Sequence, residues 1–160
     1  MSDVGDSGKA GANLTLVRRM FEVYTAHDFD TLRDEILAPD VVWRVPGHHP
    51  LAGPKRGADE LIAYFQQLAI ARFTPEVVAL LSDDDHVVDV HRGWGRVGDD
   101  AVNMLWVLVY RIVDGRIAEV DNFAADQHAA DAFFTKVWEP RLKPVPHRFV
   151  EQGEPPQPSP

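Results

Sequence analysis

The hydrophobic positions follow two periods, helical spacing in the first half of the chain and strand-like alternation in the second. Asn13 stands where a side chain can cap a helix, and Leu14, Val17, Phe21 and Tyr24 follow on one face. A second short helix is predicted from Asp30, burying Leu32, Ile36 and Leu37 and ending at Pro39. Val41 to Val45 is a short β-rich run closed by Pro46 and Gly47. The stretch 46–57, rich in Pro and Gly, reads as a structured turn region. A third helix is predicted from Ala58 to about Ala71. Asp59 and Glu60 suit the dipole of its first turn, and Leu61, Phe65 and Leu68 form its buried stripe.

After Pro75 the period changes. Residues 76–81, 86–96, 102–113 and 116–123 read as strands, separated by the acidic turn 83–85, the turn 98–100 and the hairpin signal Asp114-Gly115. The glycines of Gly93-Trp94-Gly95 mark a bulge within a strand, being too few for a phosphate loop. Asp126 caps a last helix that buries Ala130, Phe133 and Val137. Helices followed by an antiparallel meander and a final helix give an α+β fold. Along 102–113, Met104, Trp106, Leu108, Tyr110 and Ile112 share one face and are placed inward. The opposite face carries Asn103, Leu105, Val107, Val109 and Arg111, which is apolar for a solvent face. An interface, or burial of the strand on both sides, accounts for it.

Composition then limits the chemistry. One domain fits 160 residues. Residues 1–12 read as a disordered leader and 13–143 as the folded body. Residues 144–160 hold half of the chain's 12 Pro and read as a Pro-rich tail, in which Phe149 and Val150 are placed to dock on the body. The absence of Cys excludes disulfides, cysteine-ligated metals and cysteine nucleophiles. The net charge of −9 argues against nucleic acid as a partner. No apolar run reaches the roughly 18 residues of a membrane span. The N-terminus lacks the basic start and apolar run of a signal peptide, so a cytoplasmic location is expected. Nucleophile-elbow, phosphate-loop and dinucleotide motifs are absent, so no cofactor is expected. No H-x-x-x-H or H-x-H spacing brings His48, His49 and His91 together as metal ligands.

Three segments carry a family resemblance: residues 41–65 (VVWRVPGHHPLAGPKRGADELIAYF), 87–97 (VVDVHRGWGRV) and 109–126 (VYRIVDGRIAEVDNFAAD). With the order of elements, they resemble the nuclear transport factor 2-like superfamily, in its SnoaL-like polyketide cyclase and ketosteroid isomerase-like branch. The resemblance implies a cone-shaped α+β barrel, also called cystatin-like, with N-terminal helices packed on a curved antiparallel sheet around an apolar cavity. It also implies a homodimer packed through the sheet. Members include isomerases, cyclases, dehydratases, epoxide hydrolases and non-catalytic binders, so the resemblance implies a pocket rather than one reaction.

Within that frame the sequence nominates specific side chains. Glu119, Asp121 and Phe123 share a strand face. If Phe123 takes the interior, Asp121 comes inward with it, where the resemblance implies a general acid/base carboxylate. A slip of one residue substitutes Asn122. Asp89 and His91 also share a face, and inward they form a pair able to orient a general base. Tyr24, Trp43, His49, Phe65, Met104, Trp106 and Phe123 are the expected substrate-binding residues, with Tyr24 able to donate to a carbonyl oxygen. Asp40, before the first strand, is a minor candidate base. The expected ligand is a small hydrophobic, cyclic or polyketide-like carbonyl compound, handled by acid/base chemistry. The alternatives are a binding module with the same cavity, or an epoxide hydrolase drawing on Asp89, Arg92 or Arg96, and Asp121.

Overall fold

The computed structural model describes residues 8–142. The expectations for residues 1–7 and for the Pro-rich end, with Phe149 and Val150, lie outside the described residues. The order is helix α1 (Lys9–Thr25), a one-turn helix α2 (Phe29–Thr31) continued by a π-helical turn (Leu32–Ile36), strands β1 (Leu37–Val45) and β2 (Gly53–Arg56), and helix α3 (Ala58–Ile70). Strands β3 (Thr74–Ser82), β4 (His86–Val97), β5 (Asp100–Val113) and β6 (Arg116–Ala124) follow, then helix α4 (Gln127–Leu142). Among the described residues no helix is long and apolar enough to cross a membrane.

The helical stripes are buried where their spacing puts them. Val17 of α1, Leu32 and Ile36 of the π turn, Leu61 and Phe65 of α3, and Ala130 and Val137 of α4 are all core residues. Two starts differ from the sequence reading. Helix α1 begins at Lys9, inside the expected leader, and Asn13 is not its cap. The Asn13 side chain is buried and donates to the carbonyls of Asp83 and Asp84 at 3.2 and 3.1 Å. Its polar atoms therefore tie α1 to the β3–β4 turn. Helix α2 starts earlier than Asp30 because Asp28 accepts from the Thr31 N–H. Pro39 ends no helix. It is exposed within β1, between Leu37 and Val42, where the pairing with β6 shifts register and a missing N–H is tolerated.

The strands form one sheet in the order β2-β1-β6-β5-β4-β3. Among the described residues only the β1–β6 pair is parallel. With β2 and β3 as its two edges, the sheet curves without closing. Helix α1 packs on β3 and β4, α3 on β1 and β2, and α4 on β5 and β6. Met104, Trp106, Leu108, Tyr110 and Ile112 of β5 are buried as a row, as alternation predicts. This row is the floor against which the candidate site is built.

Candidate functional site

Cross-strand pairing decides which side chains share the floor's inner face, because directly opposed residues point the same way. On β4, His91 opposes Trp106 and Asp89 opposes Leu108, so both point inward. On β6, Val120 opposes Tyr110, Asn122 opposes Leu108 and Ala124 opposes Trp106. On β1, Trp43 pairs with Val120. From these rows Trp43, His91, Trp106, Leu108, Tyr110 and Asn122 line a cavity completed by Met20, Phe21 and Tyr24 of α1, by Tyr64, Phe65 and Leu68 of α3, and by Phe73, Pro75, Gly93 and Phe134. It leaves about 80 Å³ for the centres of water-sized molecules. One water needs only about 10–15 Å³ on that measure, so the space is several waters in size.

The rings interlock. Trp43 stands edge-on to Phe65 and to Tyr110, with centroids 5.2 and 5.9 Å apart, and Tyr24 stands edge-on to Phe65 at 5.1 Å. Trp106 lies over Gly93 and donates from Nε1 to its carbonyl at 3.3 Å. A Cβ at Gly93 would sit 2.8 Å from the indole, so glycine is what lets Trp106 lie flat there. Burial pushes the Tyr24 phenol up to about 12 and raises that of Tyr64 as well, so both stay neutral.

The polar centre of this apolar space is a relay of three side chains. Asp89 is fully buried. The Tyr110 hydroxyl donates to one of its carboxylate oxygens at 2.7 Å, and His91 Nδ1 lies 2.5 Å from the other. A carboxylate only accepts, so the proton between them sits on Nδ1, and in that neutral tautomer the lone pair is on Nε2. Among the described residues none hydrogen-bonds Nε2. Burial drives the Tyr110 phenol well above its ordinary range, reinforced by the Asp89 charge and hydrogen bond, so it remains a donor. Alternation pairs Asp89 with His91 and places Tyr110 only as an inward residue of β5. Its position opposite Val87, one inward step along β4 from Asp89, is what joins it to the pair.

Asp121 requires a correction. Its side chain is on the outer face, half exposed, 3.3 Å from Arg44. Arg111, together with Arg44, holds Glu119 and lowers its carboxyl pKa. The cause is a bulge. Ile112 opposes Ile117 but Arg111 opposes Glu119, so Ala118 is an extra residue and the alternation of β6 inverts after it. Glu119, Asp121 and Phe123 do share a face, but it is the outer one, and Asn122 takes the inward place. Phe123 is 53% exposed and does not line the cavity. Apolar residues occupy both faces of this sheet, so hydrophobicity at Phe123 could not fix the parity.

Of the other nominated residues, Tyr24, Trp43, Phe65 and Trp106 line the cavity. Met104 is buried in the core without lining it. His49 sits behind the wall, stacked on Phe134 at 4.6 Å, with Nε2 against the Pro46 carbonyl at 3.1 Å. Its desolvation lowers the imidazole pKa. His48 and Asp40 are exposed. Among the described residues no three His, Asp or Glu side chains gather as a metal site requires. The Asp–Arg–Asp set of an epoxide hydrolase does not assemble either. Asp89 points in, whereas Arg92, Arg96 and Asp121 belong to the outer face.

Comparison with known proteins places this architecture. An uncharacterized protein of Mycobacterium tuberculosis, Rv0034, is 33% identical over 127 residues, spanning 77% of this chain and 96% of the relative. Bal32a, from a soil-derived mobile gene cassette, superposes with a TM-score of 0.75 at 24% identity, covering 79% of this chain and 99% of that one. A putative SnoaL-like polyketide cyclase from Jannaschia superposes with a TM-score of 0.67 at 22% identity, covering 81% and 95%. Structural neighbours are of NTF2-like, SnoaL polyketide cyclase and ketosteroid isomerase type, and the fold is the cystatin-like one. The SnoaL-like domain family matches residues 17–120, and the chain belongs to that family.

Proposed function

We propose that the protein is a cofactor-independent acid/base enzyme acting on a small, hydrophobic, cyclic or polyketide-like carbonyl compound, as a cyclase, isomerase or dehydratase would. The observation that carries this reading is the Tyr110–Asp89–His91 relay, which faces an aromatic cavity with an unengaged imidazole nitrogen. Nε2 of His91 takes a proton from the carbon beside the carbonyl. The C–H electron pair becomes a C=C bond and the carbonyl π pair moves to oxygen. Imidazolium formation is stabilised by Asp89, and the same nitrogen returns the proton at a second position. The Tyr24 hydroxyl, kept neutral by burial, can donate to the oxygen that gains charge.

A measurement independent of the natural substrate tests this. The full chain in D₂O with 1-tetralone, a bicyclic enolisable ketone, should accelerate exchange of the protons beside the carbonyl, followed by NMR. His91→Gln should remove the acceleration. Saturable binding of the ketone with no accelerated exchange would defeat the enzymatic reading. It would favour a binding module, which the outward position of Asp121 already favours, since the carboxylate base expected in the cavity is not there.

We also propose that two copies associate through the outer sheet face. Leu81, Leu105 and Phe123 are exposed there beside Val88, Val90, Val107 and Val109. The Arg44, Arg111, Glu119 and Asp121 side chains alternate in sign at its border. A two-fold contact needs a surface complementary to itself, and mixed charges around an apolar centre meet that need.

A further inference from the structure

Two buried polar atoms of the cavity lining have no hydrogen-bond partner among the described residues, Trp43 Nε1 and Asn122 Oδ1. One is a donor and the other an acceptor. Trp43 is 4% exposed and its indole is held edge-on by Phe65 and Tyr110, so it cannot swing away to find a carbonyl. Since Trp43 pairs with Val120, Asn122 lies one inward step further along β6. The two are diagonal neighbours on one face, roughly 8 Å apart at the backbone, and both line the same cavity. A buried polar group left unmatched is costly, so the pair calls for a ligand atom that serves both.

A hydroxyl oxygen does so alone. It accepts from the indole N–H and donates its proton to the amide oxygen. A ketone oxygen accepts from Trp43 but leaves Asn122 Oδ1 unmatched. We propose that Trp43 and Asn122 form a hydroxyl-selective subsite, so that the cavity takes a ring alcohol, phenol or enol in preference to the corresponding ketone. His91 stands on β4, two strands from Asn122, or roughly 10 Å at about 4.8 Å per strand. A molecule one or two rings wide reaches from the subsite to the imidazole. The inference deepens the acid/base reading and rests on it for its chemical meaning. The hydroxyl so held is a substrate oxygen distinct from the carbonyl whose oxygen faces Tyr24 and whose neighbouring C–H faces His91.

The test is calorimetric titration of the full chain with tetralin, 1-tetralol and 1-tetralone, which share a skeleton and differ in the oxygen. The wild-type chain should bind 1-tetralol about tenfold more tightly than 1-tetralone, the scale of one unmatched buried polar group. Trp43→Phe and Asn122→Leu should each erase that preference while holding tetralin within about twofold of the wild-type affinity. Equal or tighter ketone binding by the wild type, or a preference that survives in both variants, would overturn the subsite. So would loss of tetralin binding in both variants, because the effect would then not be local to the oxygen. The outcome is separate from the proton-exchange experiment. Alcohol preference without exchange leaves the subsite standing and removes the enzymatic reading, whereas exchange without preference does the reverse.

Discussion

At the scale of single residues, the contrast between Asp121 and Asp89 is one of surroundings. Asp121 is half exposed and faces Arg44 across the outer surface, an arrangement worth about 0–1 kcal/mol. Asp121→Asn should leave both melting temperature and proton exchange close to wild type. Asp89 is fully buried and accepts from Tyr110 and His91. Asp89→Asn forces an amide N–H against one of those donors and should cost about 1–3 kcal/mol of stability in a denaturant titration. It should also lower exchange by at least about tenfold, because the amide cannot stabilise the imidazolium as a carboxylate does. The sequence supplied the right residue types at 89 and 91, two apart on a strand. It misplaces 121 because Phe123, apolar on an outer face that is itself apolar, does not fix the parity, which the extra residue Ala118 sets. Tyr24 offers a pH-dependent check. Burial raises its pKa from 10 to about 12, so the folded state resists deprotonation. The sign follows from linkage: the stability is fully present below pH 10 and is lost as pH rises from 10 toward 12, because the unfolded chain ionises first. Tyr24→Phe should therefore flatten alkaline denaturation in that window while changing neutral stability little.

At the scale of elements, helix spacing was the most readable signal, since each stripe on α3 and α4 packs where its period places it. Helix starts were less readable, because the same side chain serves as a cap or as a tether. Asn13 shows this. It carries the residue type of a cap, yet its amide is spent on the β3–β4 turn, which fixes how α1 covers the cavity beside His91. Asn13→Ala should leave two turn carbonyls without their donor and lower stability by about 1–2 kcal/mol. Hydrogen exchange should show faster opening of α1 and the 83–86 turn, with β5 and β6 unchanged. Uniform acceleration across the sheet would show instead that Asn13 acts on the whole fold. Gly93 illustrates the same limit from the other side. A glycine in a strand reads as a bulge, whereas here the pairing with Met104 continues through it and the missing Cβ makes room for the Trp106 ring.

For the molecule as a whole, the sheet has a wet face that is not composed like one. Leu81 on the β3 edge, with Trp94, Leu105 and Phe123, is more than a third exposed. Their neighbours on the same face are largely valines. Scattered apolar residues are ordinary on a protein surface, but an apolar field bordered by alternating charges is what supports the proposed association. A stable interface buries roughly 800 Å² on each partner, an area that a face of four strands can supply. Light scattering coupled to size exclusion should therefore give twice the chain mass at micromolar concentration. Phe123→Asp sets a carboxylate at the centre of the field, close to its own symmetry copy if the contact is two-fold, so repulsion and lost burial act together. That variant should elute as a monomer while keeping the far-UV circular dichroism of the wild type. Because Phe123 points away from the cavity, ligand binding to the monomer should change only through loosened support of β6, on whose inner side Asn122 lies. A wild-type chain that remains monomeric at high micromolar concentration would remove the dimer and leave this apolar face for a different partner.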